Sequence, residues 1–143
     1  MNPQPQKAIV QVTRKFTASA ERVFDAWLDP NTVGKWLFAT PTGKMSKVKI
    51  DARAGGSYVI VENRDGAGVE HIGEYLEIDR PRRLVFTLKV PKYSEEITKV
   101  TIEIRALGTG CELTLTHEGV LPAYIASTTS GWSMILEQLS ATL

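Results

Sequence analysis

Two neighbouring stretches near the C-terminal end decide the fold. Residues 111–118 read CELTLTHE, and residues 122–143 read PAYIASTTSGWSMILEQLSATL. The first alternates apolar with polar residues, which predicts a half-buried strand. In the second, Trp132, Leu136 and Leu139 recur at helical spacing, and Pro122 ahead of them suits the first turn of a helix. A strand with one apolar face beside a helix with one apolar stripe predicts that the helix covers the sheet.

The rest of the chain supplies more strands and two short helices. Residues 8–17 alternate like a strand, Ser19 can cap a helix that runs through Leu28, and Pro30 can open a second short helix ending near Trp36. We interpret residues 39–47 as a loop. Further strands are predicted at residues 48–50, 57–64, 69–78, 84–88 and 99–105, with a hairpin turn at Asp65-Gly66. The predicted fold is α+β: a curved antiparallel sheet wrapped around a long C-terminal helix, with two short helices after the first strand.

Length and composition favour one domain. The chain has 143 residues, of which 43% are apolar and 23% charged, with a net charge of +1. A domain of this size needs no disulfide or metal to fold, and a near-neutral chain lacks the positive field of a nucleic-acid-binding protein. We expect residues 1–7 to be a disordered leader and residues 8–143 to form the domain. No segment is apolar for long enough to span a membrane.

The cellular location is inferred from the N-terminus and from the cysteine content. The first residues contain no apolar core of a secretory signal. Cys111 is the only cysteine, which excludes an internal disulfide and fits a reducing compartment. The expected location is the cytoplasm.

Several segments resemble one known family. They are residues 16–30 with Trp36 after them, residues 51–58, residues 73–87, and residues 113–119 followed by Gly131-Trp132 and Leu136–Leu139. Their order and spacing resemble the family named after the activator of the heat shock protein 90 ATPase, a branch of the START-like (SRPBCC) superfamily. The resemblance implies a helix-grip fold over residues 8–143. It does not fix a function, because relatives include co-chaperones, lipid carriers, cyclases and receptors.

Motifs for cofactor and metal chemistry are weak. Gly55-Gly56 lacks the lysine and hydroxyl residue of a phosphate-binding loop and is interpreted as a turn or bulge. His71, His117 and Cys111 are too few and too scattered for a metal site. Cys111, on the apolar face of its strand, is interpreted as a small core residue rather than a nucleophile. We therefore expect no cofactor, no metal and no covalent catalysis.

A ligand cavity between the sheet and the helix is the leading functional prediction. An apolar cavity with few polar groups suits a planar or lipid-like molecule. His71 and His117 are its polar candidates, because either could exchange a hydrogen bond or a proton with a ligand. Nine residues are predicted to contact the ligand: Trp36, Phe38, Tyr58, His71, Tyr75, Phe86, Leu115, His117 and Trp132.

Three functions stay open at this point. The first is binding of a small hydrophobic or aromatic molecule, without demonstrated catalysis. The second is a co-chaperone type of interaction module in the stress response, with a chaperone as its partner. The third is a cyclase or hydrolase that uses a cavity histidine. Two groups of exposed cations could serve an acidic partner, although solvated surface positions explain them better: Arg80, Arg82 and Arg83, and Lys44, Lys47 and Lys49. The sequence does not indicate an oligomeric state.

Overall fold

A computed structural model of the chain describes residues 7–143. It contains seven strands and two α-helices, with a 3-10 turn ahead of β2 and another ahead of α2. The strands are β1 (Ala8–Phe16), β2 (Lys44–Ile50), β3 (Ser57–Arg64), β4 (Ala67–Asp79), β5 (Arg83–Leu88), β6 (Thr98–Leu107) and β7 (Gly110–Val120). The helices are α1 (Ala20–Ala26) and α2 (Ile125–Thr142), and the 3-10 turns are Val33–Lys35 and Pro122–Tyr124. The predicted leader lies outside the described residues except for Lys7.

The seven strands form one antiparallel sheet in the order β1-β7-β6-β5-β4-β3-β2. The predicted hairpin turn joins β3 to β4, where Asp65 and Gly66 both have positive φ, at 52° and 83°. Two such residues in succession give the turn that matches the twist of the flanking strands. β4 shows a register shift after Tyr75, and such irregularities bend a strand. In this strand order β7 lies beside β1, and β2 forms the opposite edge of the sheet.

The inward face of the sheet is apolar and is covered by α2. Leu113 and Leu115 of β7 and Ile102 of β6 are fully buried. Against them α2 buries the side chains that share its predicted stripe, Trp132, Ile135, Leu136 and Leu139. The helix-over-sheet arrangement predicted from the C-terminal stretch is confirmed.

The first half of α2 has no such contact with the sheet. Residues 125–130 are exposed except for Thr128, which is half-buried. A methyl group placed on Gly131 would meet no atom within 4 Å, so the sheet does not closely approach this residue. The N-terminal half of α2 therefore projects beyond the packed core.

Local boundaries differ from the prediction at four places. Ser19 caps α1 as expected, since its Oγ accepts a hydrogen bond from the backbone N–H of Arg22 at 3.3 Å. The helix ends at Ala26 rather than Leu28, and the second helix is only the turn Val33–Lys35. The loop predicted over residues 39–47 ends early, because β2 begins at Lys44 and pairs with Asn63. Pro122 opens a 3-10 turn before α2 rather than α2 itself.

Within residues 7–143, no helix is long and apolar enough to cross a membrane.

Leu139→Ala tests the central packing contact. Leu139 is fully buried, so the substitution should lower the free energy of unfolding by about 2–5 kcal/mol. Glu137→Ala, at an exposed position on the same helix, should change it by less than about 0.5 kcal/mol. Urea denaturation of both variants measures the difference. Equal stability of the two would mean that α2 does not cover the sheet.

Gly131→Ala tests the N-terminal half of α2, where helix propensity is low. Alanine meets no steric obstacle there, and it favours a helix over glycine, so the free energy of unfolding should rise by about 0.5–1 kcal/mol. Gly66→Ala is the matched control. Its added methyl group is equally free of contacts, but φ is +83°, so this variant should be less stable than the wild type. Thermal denaturation distinguishes the two outcomes.

Candidate functional site

The nine residues predicted to contact a ligand are all buried, none more than 7% exposed. They are packed side chains of the core. Tyr58, Tyr75 and Phe86 form one aromatic group, with ring centroids 5.5–6.5 Å apart. The void beside them is about 10 Å³, close to the volume of a single water probe. The inner gap between helix and sheet is therefore filled by side chains.

A continuous aromatic cluster fills this gap, and Trp27 is at its centre. The Trp27 ring lies 4.7 Å from Trp36, 6.2 Å from Phe86 and 6.4 Å from Trp132, centroid to centroid. Trp27 is only 2% exposed. Leu115 is fully buried in the same core. These rings separate the inner void from the end of the sheet where α2 begins.

An open pocket of about 530 Å³ lies at that end. One wall is Tyr124 of the 3-10 turn and the exposed start of α2, with Ser127 and Thr128. A second wall is the segment from the end of β5 to the start of β6. The remaining surface comes from residues 119–121 and from Arg64 at the end of β3. The side chains of the second wall that line the pocket are Leu88, Val90, Tyr93, Ser94, Glu96 and Thr98.

His117 is the one predicted residue that lines this pocket, and its two ring nitrogens are both engaged. Trp132 Nε1 donates a hydrogen bond to His117 Nδ1 at 3.0 Å. The proton of the neutral ring is therefore on Nε2, which lies 2.7 Å from Thr98 Oγ1 and donates to it. Thr98 Oγ1 donates in turn to the carbonyl oxygen of Leu88 at 3.1 Å. A relay of hydrogen bonds thus runs from the core, through His117, to the pocket.

The His117 ring is neutral over the physiological pH range. Burial lowers its pKa from 6.5 to about 4, because the charged form would lose its hydration. A ring with this pKa and with both nitrogens bonded is a poor general base near neutral pH. Its geometry suits holding Trp132 and Thr98 in fixed orientations.

His71 lies apart from the pocket, in the core of the sheet. Its ring stacks on Phe38, with centroids 4.2 Å apart and planes 9° from parallel. Its Nδ1 lies 3.3 Å from the carbonyl oxygen of Ile60, to which it donates. Burial and the nearby positive charge of Arg64 lower the pKa of His71 to about 4. The structure does not bring His71 and His117 to one site.

A buried ion pair beside the pocket was missed by the sequence analysis. Glu62 is 1% exposed and pairs with Arg64 through Nε at 2.5 Å. Its Oε2 accepts from the backbone N–H of Thr40, and its Oε1 accepts from the Thr40 hydroxyl. Arg64 also donates to the carbonyl oxygen of Phe38, at 3.1 Å. The pair fixes the segment before β2, where Phe38 has a φ of +59°.

The Glu62 carboxylate stays ionised despite its burial. Burial alone raises the pKa of Glu62, but the hydrogen bonds from Arg64 and Thr40 outweigh it, so the pKa lies below 4.5. The signal for this residue was present in the alternation of β3, where Tyr58, Ile60 and Glu62 share the inward face. A carboxylate at an inward position indicates a buried partner.

A metal site and a reactive thiol find no support in the described residues. No three histidine, cysteine or acidic side chains of residues 7–143 come together as a metal site would require. Cys111 is buried in the core, and burial raises the pKa of its thiol, which disfavours the reactive thiolate.

The seven-stranded sheet that curves around a C-terminal helix, with two short helical segments after β1, defines a helix-grip protein. The chain belongs to the family described as Activator of Hsp90 ATPase homolog 1-like protein, whose model matches residues 17–143. The resemblance found in the sequence is thereby confirmed. No curated protein matches the sequence of this chain.

Solved structures from several bacteria share the fold. A protein from Chromobacterium violaceum is 29% identical, with a TM-score of 0.86 over 94% of this chain and 95% of that one. A protein from Rhizobium loti is 25% identical, with a TM-score of 0.81 over 99% and 100%. An AHSA1-like protein from Aeromonas hydrophila is 19% identical, with a TM-score of 0.81 over 94% and 90%.

His117→Gln tests the neutral state of the relay. An unfolded histidine gains a proton near pH 6.5, whereas folded His117 does so near pH 4. The unfolded state therefore binds more protons between these values, and the free energy of unfolding falls as the pH drops through that window. Between about pH 7 and pH 5 the variant should lose about 1–2 kcal/mol less than the wild type, since glutamine does not titrate. Urea denaturation at both pH values measures this, and identical losses would contradict a buried neutral His117.

Proposed function

We propose that this protein binds a small hydrophobic or aromatic molecule in the open pocket at the N-terminal end of α2. The single observation that carries the proposal is the pocket itself, about 530 Å³ in volume and with a lining surface that is mostly apolar. Ligand pockets of proteins commonly have volumes of about 300–1,000 Å³, with apolar walls and a few placed polar groups. Members of this fold class commonly bind hydrophobic ligands, which agrees with the proposal.

The walls favour an apolar ligand. Leu88, Val90, Val120 and Leu121 supply aliphatic surface. At the rim, Tyr93 and Tyr124 are 56% and 47% exposed, and large apolar side chains exposed together at a cavity indicate a binding surface. A ligand that covers them gains the free energy of removing this surface from water.

The charged groups of the pocket favour a ligand without net charge. Arg64 is already paired with Glu62, and Glu96 is paired with Lys7 at 2.8 Å. At the floor, the Thr98 hydroxyl accepts from His117 and donates to Leu88, which leaves one lone pair on its oxygen for a ligand donor. The best fit is an uncharged aromatic or lipid-like molecule with one hydroxyl or amide donor.

The two alternative functions have less support. A catalytic histidine would need a free nitrogen and a pKa closer to neutrality than that of His117 or His71. A co-chaperone that docks through the arginine turn would need free charges, but Arg80 is bonded to Asp25, Arg82 to Asp79, and Arg83 to Glu77 and Glu103. The cytoplasmic location remains part of this proposal, supported by a free thiol at Cys111.

Thr128→Trp tests the pocket by filling it. Thr128 lines the pocket from the exposed part of α2, so a tryptophan there should occupy ligand space without disturbing the core. Thr129→Trp is the matched control, because Thr129 is the exposed next residue and is not part of the pocket wall. The probe is N-phenyl-1-naphthylamine, an uncharged aromatic dye that fluoresces in apolar surroundings.

The dye should bind the wild type and raise its melting temperature, because it binds only the folded state. Thr128→Trp should weaken the affinity by about tenfold or more, since the new ring clashes with the ligand. Thr129→Trp should retain the wild-type affinity. Failure of a panel of such dyes to bind the wild type, or equal binding by the two variants, would contradict a ligand site in this pocket.

A further inference from the structure

The outer edge of the sheet at β2 carries a row of lysines without partners. Lys44, Lys47 and Lys49 are exposed. In the register with β3 they lie opposite Asn63, Val61 and Val59, which places all three on the outer face of the sheet. No carboxylate oxygen of residues 7–143 lies within 4.0 Å of the ammonium nitrogen of any of the three.

Most other exposed cations of the chain are neutralised by its own carboxylates. The arginine turn is paired as described above, and Lys89, Lys99 and Arg105 pair with Glu95, Glu118 and Glu112. At the opposite edge of the sheet, Lys7 pairs with Glu96, and Lys15 is the one exposed cation of β1 without an ion pair to residues 7–143, since Glu112 across from it pairs with Arg105. The β2 edge therefore carries more uncompensated positive charge than the β1 edge.

The nearest carboxylates on the same face do not pair with these lysines. Glu70 of β4 lies opposite Val61, which lies opposite Lys47, so two strand spacings of about 4.8 Å each separate Glu70 from Lys47. Asp51, at the end of β2, is already bonded to Arg53 at 2.8 Å. The three lysines are therefore open to a carboxylate from another molecule.

The backbone of the same edge is also free. β2 is the last strand of the sheet, and no described strand pairs with its outer side. Lysines on such an edge prevent two like edges from joining, because their charges repel. The same charges attract a strand of opposite sign, and side chains of an extended chain alternate, so every second residue would face the lysine row.

We propose that the β2 edge binds an extended acidic segment of a partner protein, which adds to the sheet as an eighth strand. Main-chain hydrogen bonds to β2 would hold the segment, and its alternate carboxylates would pair with Lys44, Lys47 and Lys49. The surface is separate from the ligand pocket, since none of the three lysines lines it. Its test is therefore independent of the proposed ligand binding.

The test uses a labelled ten-residue peptide of alternating glutamate and threonine. Fluorescence anisotropy should show binding at low salt and weaker binding as salt screens the charges. Lys47→Glu/Lys49→Glu should lower the affinity by about tenfold or more, because attraction becomes repulsion. Arg22→Glu/Lys92→Glu is the matched control, with the same change in net charge away from β2. It should stay within about twofold of the wild type, since exposed charges this remote are screened.

Two further probes separate strand addition from simple charge attraction. A peptide of the same sequence with N-methyl groups on alternate residues keeps its charges but cannot complete the hydrogen-bond ladder, so it should bind much more weakly. The unmodified peptide should slow hydrogen exchange of amides in residues 44–50. No binding of the unmodified peptide, equal binding of the methylated one, or tighter binding of a single-stranded DNA of similar charge would overturn the proposal.

Discussion

The apolar inner face of the sheet is removed from water by α2 together with α1 and the segment that follows α1, and most of the structure depends on that contact. Leu113 and Leu115 of β7 are fully buried because Leu136 and Leu139 lie against the same core. Burial of such side chains is the main source of stability in a domain of this size. A helix that carries glycine and several serines and threonines would be marginal by itself, so the sheet holds it in place.

The same contact explains why the pocket is at one end. The apolar stripe of α2 begins at Trp132, so the half of the helix before it has little to bury and extends past the core. The pocket lies beneath this half, beside the loop that leads into β6. The hydrogen bond between Trp132 and His117 marks the boundary, with filled aromatic core on one side and open space on the other.

The surface also has two kinds of basic cluster, one paired with carboxylates of the chain and one unpaired. In the sequence, the arginine turn is the strongest basic cluster. In the structure, Arg80 pairs with Asp25, and Arg83 pairs with Glu77 and Glu103 of neighbouring strands. The lysines of β2 form a smaller cluster in the sequence, yet none of the three has an ion pair with residues 7–143. Exposed pairs of this kind contribute little stability, so their main consequence is which parts of the surface remain attractive to an acidic partner.

The sequence by itself determined the strand order along the chain, the hairpin turn at Asp65-Gly66, the stripe of α2 and the inward face of β7. These follow from periods of 2 and 3.6 residues, which local geometry imposes. Only the tertiary structure decided that the predicted aromatic ligand contacts fill the helix–sheet gap, and that open space lies under Tyr124 and Thr128. The ion pair between Glu62 and Arg64, and the hydrogen bonds of His117 with Trp132 and Thr98, are likewise visible only in the tertiary structure. Such outcomes depend on how volumes fit and on which side chains meet across strands, and neither quantity is contained in a local pattern.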